Sequence, residues 1–430
     1  MPAVILFVVF LAAIALSVPI GFAMVAGTLS PILITGSGGN ITQLVTNAFS
    51  GANSTPILAV PLFIFSGIIM AEGGISKKLF SFFAYFVGHF HGGVPCAVIL
   101  TCLFYGAISG SGPATAAAVG AMCVPFLVSL GYDRKWSAGL IVVAGSLGVI
   151  IPPSIPFVLY SLATGVSTGS LFLAGILPGI LVAICLMVYS VIYCRRNGED
   201  QALIKRAMGE LKGQGFGHLF LDSLPALLCP VIVLGGIYSG IVTPTEAACI
   251  SVFYALIVSL WVYKTISFKD IWGIMSTSVR TYAGLAFVLA FATAFGRVLS
   301  LTGAASAITT FITTSFGSNM WAAVTVCVLL FLVLGMVMDT GPAIIILAPI
   351  LLPGMQALGV DPVHFGVMLV CCLAIGLATP PFGLNLFVVA NISQDQPMSI
   401  ARRALPFIAA FLIALVLIVY VPWFSLAFLG

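Results

Sequence analysis

The sequence predicts an all-α polytopic membrane protein made of two inverted repeats, and three observations carry that prediction. Hydrophobic residues make up 61% of the 430 positions and charged residues 6%, against about a quarter charged in soluble domains. The apolar runs are continuous over whole spans, whereas the strands of a membrane barrel would alternate. Finally, an unusual run of small and helix-breaking residues occurs twice. Ser109-Gly110-Ser111-Gly112-Pro113-Ala114-Thr115 has a counterpart in Met338-Asp339-Thr340-Gly341-Pro342. Each is followed about 40 residues later by a Pro-Pro break, Pro152-Pro153-Ser154 and Pro380-Pro381-Phe382.

Taken in order, no charge of either sign precedes Glu72. The apolar start therefore lacks the positive flank of a signal peptide and reads as a retained first span. It breaks at Ser17-Val18-Pro19, giving spans near 2–17 and 19–35; a polar, uncharged segment and a span near 57–72 complete a scaffold over 1–72. Lys77-Lys78 open an aromatic segment, 76–91, which is too short and polar to cross and suits the interface. Residues 93–130 form two apolar halves meeting at Ser109–Thr115, a re-entrant hairpin. A helix broken at Pro152-Pro153 follows over 136–164, then a span over 170–194.

The one soluble-looking stretch, 195–218, holds five of the fifteen Lys and Arg residues and reads as a linker rather than a domain. Beyond it the same programme restarts over 219–430. Scaffold spans occupy 219–299, an interfacial arm 304–316, a hairpin 319–357, a broken helix 364–392 and a last span 400–424. Gly74 matches Gly303, Pro113 matches Pro342, and Leu130-Gly131-x-Asp133 matches Leu358-Gly359-x-Asp361. Gly148 matches Gly376 and Pro178 matches Pro406, all at an offset of 228 or 229. Repeats of this kind are commonly inverted in the membrane. With 195–218 in the cytoplasm and both hairpins re-entrant, Lys77, Lys78, Arg134, Lys135, Lys264, Lys269, Arg402 and Arg403 all fall on the cytoplasmic side, as the positive-inside rule asks. Arg280 falls just inside the cytoplasmic end of its span, Arg297 lies near the outer face, and both termini are extracytoplasmic.

The net charge of +4 is thus topological, and no basic stripe with interleaved aromatics points to nucleic acid. Ten cysteines scattered through apolar runs read as small packing residues. His89 and His91 lack a third ligand and the spacing of a helical metal site. The Gly-rich run lacks a Walker lysine, so no nucleotide is expected, and energy must come from an ion gradient or another protein.

The breaks themselves carry the chemistry. Pro113 removes a donor and disfavours helical backbone at Gly112, releasing carbonyls and hydroxyls that need partners in hydrocarbon. Na⁺ takes such oxygens, while the following half-helix offers N–H groups to a carboxylate. Gly145–Ser154 and Gly376–Phe382 follow the same logic, so two similar cation sites would flank one anion site. A single break could merely ease packing; four in a two-fold pattern argue for use. Asp339 at the second tip is either functional or a cap, and its counterpart is Gly110. Arg297 reads first as an interfacial anchor and second as a partner for a carboxylate. Glu246 reads as helix-start architecture.

Ser109–Thr115, Ile151-Pro-Pro-Ser-Ile-Pro156, Thr243-Pro-Thr-Glu-Ala-Ala248, Met338–Pro342 and Ala378-Thr-Pro-Pro-Phe-Gly383 resemble, in order, the motifs of the large membrane subunit of tripartite ATP-independent periplasmic (TRAP) transporters. The resemblance runs from the N-terminus to the last span. It implies an elevator-type, Na⁺-coupled importer of the ion-transporter superfamily in the bacterial inner membrane, and not an enzyme. It also implies a small four-helix membrane subunit, expected on a separate chain, and a periplasmic binding protein that delivers an organic acid such as a C4-dicarboxylate or sialic acid. On the matching positions, one Na⁺ would sit among Gly106, Ser109, Gly110, Gly148, Ile151 and Ser154. The other would sit among Gly335, Met338, Gly376, Thr379 and Phe382. The substrate would lie near Ser111, Gly112, Pro153, Asp339, Thr340 and Pro381. A self-sufficient Na⁺-dicarboxylate symporter of the same fold is the alternative. An intramembrane enzyme using Ser109 or Asp339 lacks a base, and a channel suits paired hairpins less well.

Overall fold

The computed structural model describes residues 2–213, 215–317 and 319–429, and among them every regular element is helical. The first half begins with α1 (Pro2–Ala15), α2 (Ile20–Thr35) and α3 (Ile41–Ala52). A 3₁₀ turn at Thr55–Leu58 leads into α4 (Ala59–Glu72) and α5 (Ile75–Val87). The first hairpin is α6 (Gly93–Ser109) and α7 (Gly112–Ser129). The broken helix comprises α8 (Arg134–Ala144), α9 (Leu147–Ile150) and α10 (Ile155–Thr164), and α11 (Thr168–Asn197) closes the half. After α12 (Gln201–Gly213) come α13 (Phe216–Tyr238), α14 (Pro244–Ile257) with a π turn, and α15 (Phe268–Leu301). The second arm and hairpin are α16 (Ala304–Phe316), α17 (Met320–Gly335) and α18 (Thr340–Ala357). Its broken helix is α19 (Pro362–Gly376) and α20 (Leu384–Ser393), followed by α21 (Pro397–Tyr420) and a short α22 (Trp423–Leu426).

Among the described residues, eight helices are long and apolar enough to cross a membrane, or nine if α8–α10, bent by 42° at its break, is one span. α7 and α18 are among the eight although each forms half of a hairpin. α1 and α2, with 14 and 16 residues, rise only about 21 and 24 Å, short of a hydrocarbon core of about 30 Å.

The matched motifs have matching local causes. Gly74 (φ +67°) and Gly303 (φ +71°) take left-handed backbone to start α5 and α16, each 13 residues long. Gly131 (φ +89°) and Gly359 (φ +90°) turn the chain so that Asp133 and Asp361 cap α8 and α19 through backbone N–H groups of the first turn. Such caps satisfy donors that a helix start leaves open. α7 and α18 both have 18 residues, α10 and α20 both have 10, and both Pro-Pro peptide bonds are cis. The halves also embrace: α10 packs on α18 and α20 packs on α7. This reciprocal pairing is what a pseudo-two-fold axis between repeats produces.

Three elements differ from the sequence reading. The polar segment after α2 contains the amphipathic helix α3, capped by Asn40 and laid against α15. The linker folds as α12, which buries Ile204 and Met208 beneath α5. And α15 starts at Phe268, because Ser267 and Asp270 form a reciprocal capping box; such a box satisfies two otherwise open donors. Arg280 therefore lies three turns into α15 rather than at its start. α15, with 34 residues, is about 51 Å long and runs past α2, α3, α4 and α18.

Candidate functional site

At the first hairpin tip, helix α6 ends when Gly110 adopts left-handed backbone (φ +61°), and its N–H closes on the Gly106 carbonyl at 2.8 Å. The carbonyl of Gly110 then accepts the Ile155 N–H of the broken helix at 3.2 Å. A Cβ on Gly110 would stand 2.9 Å from the Pro153 carbonyl oxygen. Tip and break thus meet backbone to backbone. Gly106 and Gly148 press closer still: a Cβ on Gly106 would lie 2.6 Å from the Gly148 Cα, and one on Gly148 would lie 2.7 Å from the Ser111 carbonyl oxygen. Ser109 Oγ lies 2.9 Å from Thr115 Oγ1, and the Thr115 hydroxyl donates to the Ser111 carbonyl at 2.8 Å.

The break itself is closed by Ser154, whose hydroxyl donates to Val149 O (2.5 Å) and accepts from the Phe157 N–H (3.4 Å). The Ile151 side chain packs on α11 at Gly179, which leaves only its backbone to serve the break. Of the first predicted Na⁺ set, Gly106, Ser109, Gly110 and Gly148 lie together, with Ser111 and Pro153 of the predicted substrate set beside them, while the Ile151 side chain and the Ser154 hydroxyl are turned to other partners. The structure adds Thr115, whose hydroxyl the ligand list missed although its i+6 spacing from Ser109 across a helix break was visible.

The second tip repeats the arrangement in a different register. A Cβ on Gly376 would fall 2.2 Å from the Gly335 carbonyl carbon, so α17 and α19 touch at their backbones. The Phe382 N–H donates to Met336 O (3.3 Å), tying break to tip. Thr379 turns its hydroxyl back to Ile375 O (2.8 Å), and Met338 N–H still bonds Leu334 O (2.9 Å). Asp339 caps α18 through the Thr340 N–H at 2.7 Å, with the Thr340 hydroxyl at 3.3 Å. Whereas Pro152, Pro153 and Ser154 are buried, Pro381 and Phe382 are exposed, as is Asp339. Among the described residues, no hydrogen bond joins Asp339 or Thr340 to the first tip.

The tips are linked instead through each other's broken helix. Gly112 of the first tip faces Leu377 and Asn385, and Gly341 of the second faces Leu159 of α10. Asn385 is fully buried; its Nδ2 donates to Val142 O (3.1 Å) and Ser146 Oγ (3.2 Å) across the halves, and its Oδ1 has no partner. Sequence reasoning missed it: the position 228 earlier, at the offset that relates the two Pro-Pro breaks, is Phe157, so the repeat gave no signal, and only a buried amide in an apolar helix marks it.

Two cavities extend from the first tip. One of about 270 Å³ is lined by Ser109, Ser111, Pro113, Gly67 and Thr281. Beside it, sharing Ile68, one of about 550 Å³ carries Glu72, Lys269, Asp270 and Thr277. Thr281, Thr277 and Asp270 recur along one face of α15, forming a polar path from the tip to the helix start. This arrangement holds small oxygen donors at two backbone breaks and opens one of them to a small cavity that adjoins a polar one. It suits a cation and a small polar solute.

The family described as "Tripartite ATP-independent periplasmic transporter, DctM component" matches residues 7–424. Similar sequences include the isethionate TRAP transporter permease protein DctMQ of Oleidesulfovibrio alaskensis, 38% identical over all of this chain; the chain spans 66% of that relative's length. The C4-dicarboxylate TRAP transporter large permease protein DctM of Pseudomonas aeruginosa is 36% identical, covering 94% of this chain and 92% of the relative. Among solved structures, the YdaH transporter of Alcanivorax borkumensis has a TM-score of 0.62 at 15% identity, over 90% of this chain and 88% of that one. That likeness concerns the fold.

Proposed function

The chain belongs to the DctM family of TRAP transporter large permeases, and from that premise we propose that it imports a small organic anion coupled to Na⁺ by an elevator motion. The observation that carries the coupling is the oxygen cluster at the first tip: the Ser109 and Thr115 hydroxyls and the Ser111 carbonyl gather against the Gly148 backbone where two helices are broken. Oxygen donors freed from helical pairing in a low-dielectric setting favour a bound cation, and Na⁺ is the hard monovalent cation such sites take. The second tip supplies the corresponding backbone around Gly335, Met338, Gly376, Thr379 and Phe382. Between them, Ser111, Gly112, Pro153, Asp339, Thr340 and Pro381 would face the substrate.

The elevator reading rests on how the parts divide. The hairpins and broken helices grip one another across the halves, while α4 and α15 lie alongside them as a rail. Relatives are named for isethionate, a sulfonate, and for C4-dicarboxylates, so the shared chemistry is a small acid with an oxyanion head. A periplasmic binding protein would deliver it, and a small four-helix subunit would hold the scaffold in the inner membrane, with both termini outside.

Reconstituted with those partners, the protein is expected to take up its substrate only with an inward Na⁺ gradient. Ser109→Ala and Thr379→Val should each raise the Na⁺ concentration for half-maximal uptake while leaving the melting temperature nearly unchanged. Uptake indifferent to Na⁺ would sink the proposal. Uptake with no binding protein would favour the self-sufficient symporter.

A further inference from the structure

On the far side of the tips lies the largest cavity described so far, about 590 Å³, a cleft bordered by α3, α10, α15 and α18 in which Ser50, Thr293, Arg297 and Ser300 remain exposed. Its walls are leucines and alanines, broken by the polar groups Asn47, Ser50, Ser54, Thr293 and Ser300, and Arg297 is the one titratable residue in its lining. Arg297 forms no ion pair with any described residue. It follows Lys269 by 28 positions on one continuous helix, a rise of about 42 Å, so it stands across the membrane from the basic end of α15. Between this cavity and the tip cavities, Leu285 of α15 and Leu159 of α10 close on Gly341. α15 therefore borders both sides: Asp270, Thr277 and Thr281 line the tip cavities, Leu285 packs at the plug, and Thr293 and Arg297, further along and turned about half a revolution from Asp270, line the outer cavity.

Arg297 is exposed, but the surface it is exposed on is the wall of this cavity between scaffold and hairpin. We propose that this outer cavity is an anion-binding vestibule, in which Arg297 takes the oxyanion head of an incoming organic acid before the acid reaches the tips. The inference rests on the proposed import of an organic anion. A guanidinium presents a planar fork that fits the paired oxygens of a carboxylate or sulfonate. Low-dielectric walls focus its field, and the volume lies within the range of small-molecule sites. The surrounding hydroxyls and the Asn47 amide supply further donors without a competing carboxylate.

The test needs no transport. Ser300→Cys, on the same cavity wall, is introduced into the full chain with its small subunit in sealed vesicles. Labelling by an anionic and a cationic methanethiosulfonate is read by peptide mass; Thr293→Cys serves if the first variant fails to fold. Labelling should occur from the side opposite the 195–218 linker. The anionic-to-cationic rate ratio should fall about tenfold on adding Arg297→Gln, the effect of one charge at about 6 Å in water-like screening on two reagents of opposite sign, and hold with Arg297→Lys. Succinate or isethionate should slow labelling when Arg297 is present and not when it is Gln, and the stronger of the two identifies the head group. An unchanged ratio in Arg297→Gln, or protection by phosphatidylglycerol vesicles alone, overturns the proposal; the latter would make the cavity a lipid site. Failure of Na⁺-coupled uptake with protection intact would instead count against the transport reading and leave the vestibule standing.

Discussion

The backbone contact between Gly335 and Gly376 can be broken by a single methyl group. In Gly376→Ala the new Cβ would fall 2.2 Å from the Gly335 carbonyl carbon, 2.4 Å from its oxygen and 2.5 Å from its Cα. Ordinary contact begins near 3.4 Å, so α17 and α19 must separate by roughly 1 Å. No flexible side chain lies in between to absorb the change. Overpacking of this kind costs about 1–3 kcal/mol. The same separation would stretch the Phe382–Met336 hydrogen bond, already 3.3 Å, and spread whatever oxygens the second tip offers to a cation. Misplacement by about 1 Å weakens a preorganised site on the order of a hundredfold. The assay pairs thermal unfolding in detergent, with and without Na⁺, with the Na⁺ dependence of uptake. Gly284→Ala is the control, because a Cβ there meets nothing within 4 Å; an exposed helical Gly→Ala change is neutral or stabilising by about 0.5–1 kcal/mol. If Gly376→Ala unfolds like the unaltered protein and keeps its Na⁺ response, the tip and the broken helix do not depend on that contact.

Two further outcomes follow from groups outside the tips. Asn385→Leu removes the donor that serves Val142 O and Ser146 Oγ across the halves. Leaving two buried acceptors unpaired should destabilise the protein by about 2 kcal/mol or more, seen as a lower melting temperature, whereas Asn385→Gly or Asn385→Ala would add a cavity to the same loss. At the start of α14 the Thr243 N–H and hydroxyl both donate to the Glu246 carboxylate at 2.8 Å, and Thr243 Oγ1 accepts the Glu246 N–H at 3.3 Å. A box of this kind satisfies donors that a helix start leaves open. Thr243→Ala should therefore destabilise the protein by about 1 kcal/mol, read as a lower melting temperature, and Thr243→Ser should recover most of the loss.

Much of the architecture was written in one dimension. Continuous apolar runs require helices, because hydrocarbon offers no partner to an open backbone. The doubled Gly and Pro motifs have local effects that context does not override. Gly74 and Gly303 turn left-handed, Asp133 and Asp361 cap the next helix, and the Pro-Pro pairs end one helix before another begins. The family likewise followed from motif order.

Other features depended on what lies opposite in space. α3 has a polar sequence, yet it is a helix because its apolar face, with Leu44 and Ala48, buries against Ala294 of α15. Asn385 and Arg297 look alike to a sequence reader: each is a polar residue set among apolar neighbours in a helix. Packing separates them. Asn385 is sealed between the halves, where its amide must find partners, and Arg297 borders a cavity, where it need not. The two tips also share a pattern but not an environment, since Pro152–Ser154 are enclosed while Pro381 and Phe382 are exposed. A repeat fixes local backbone because that depends on neighbours in the chain. Burial and electrostatics depend on neighbours in space, and in this protein those differ between the halves.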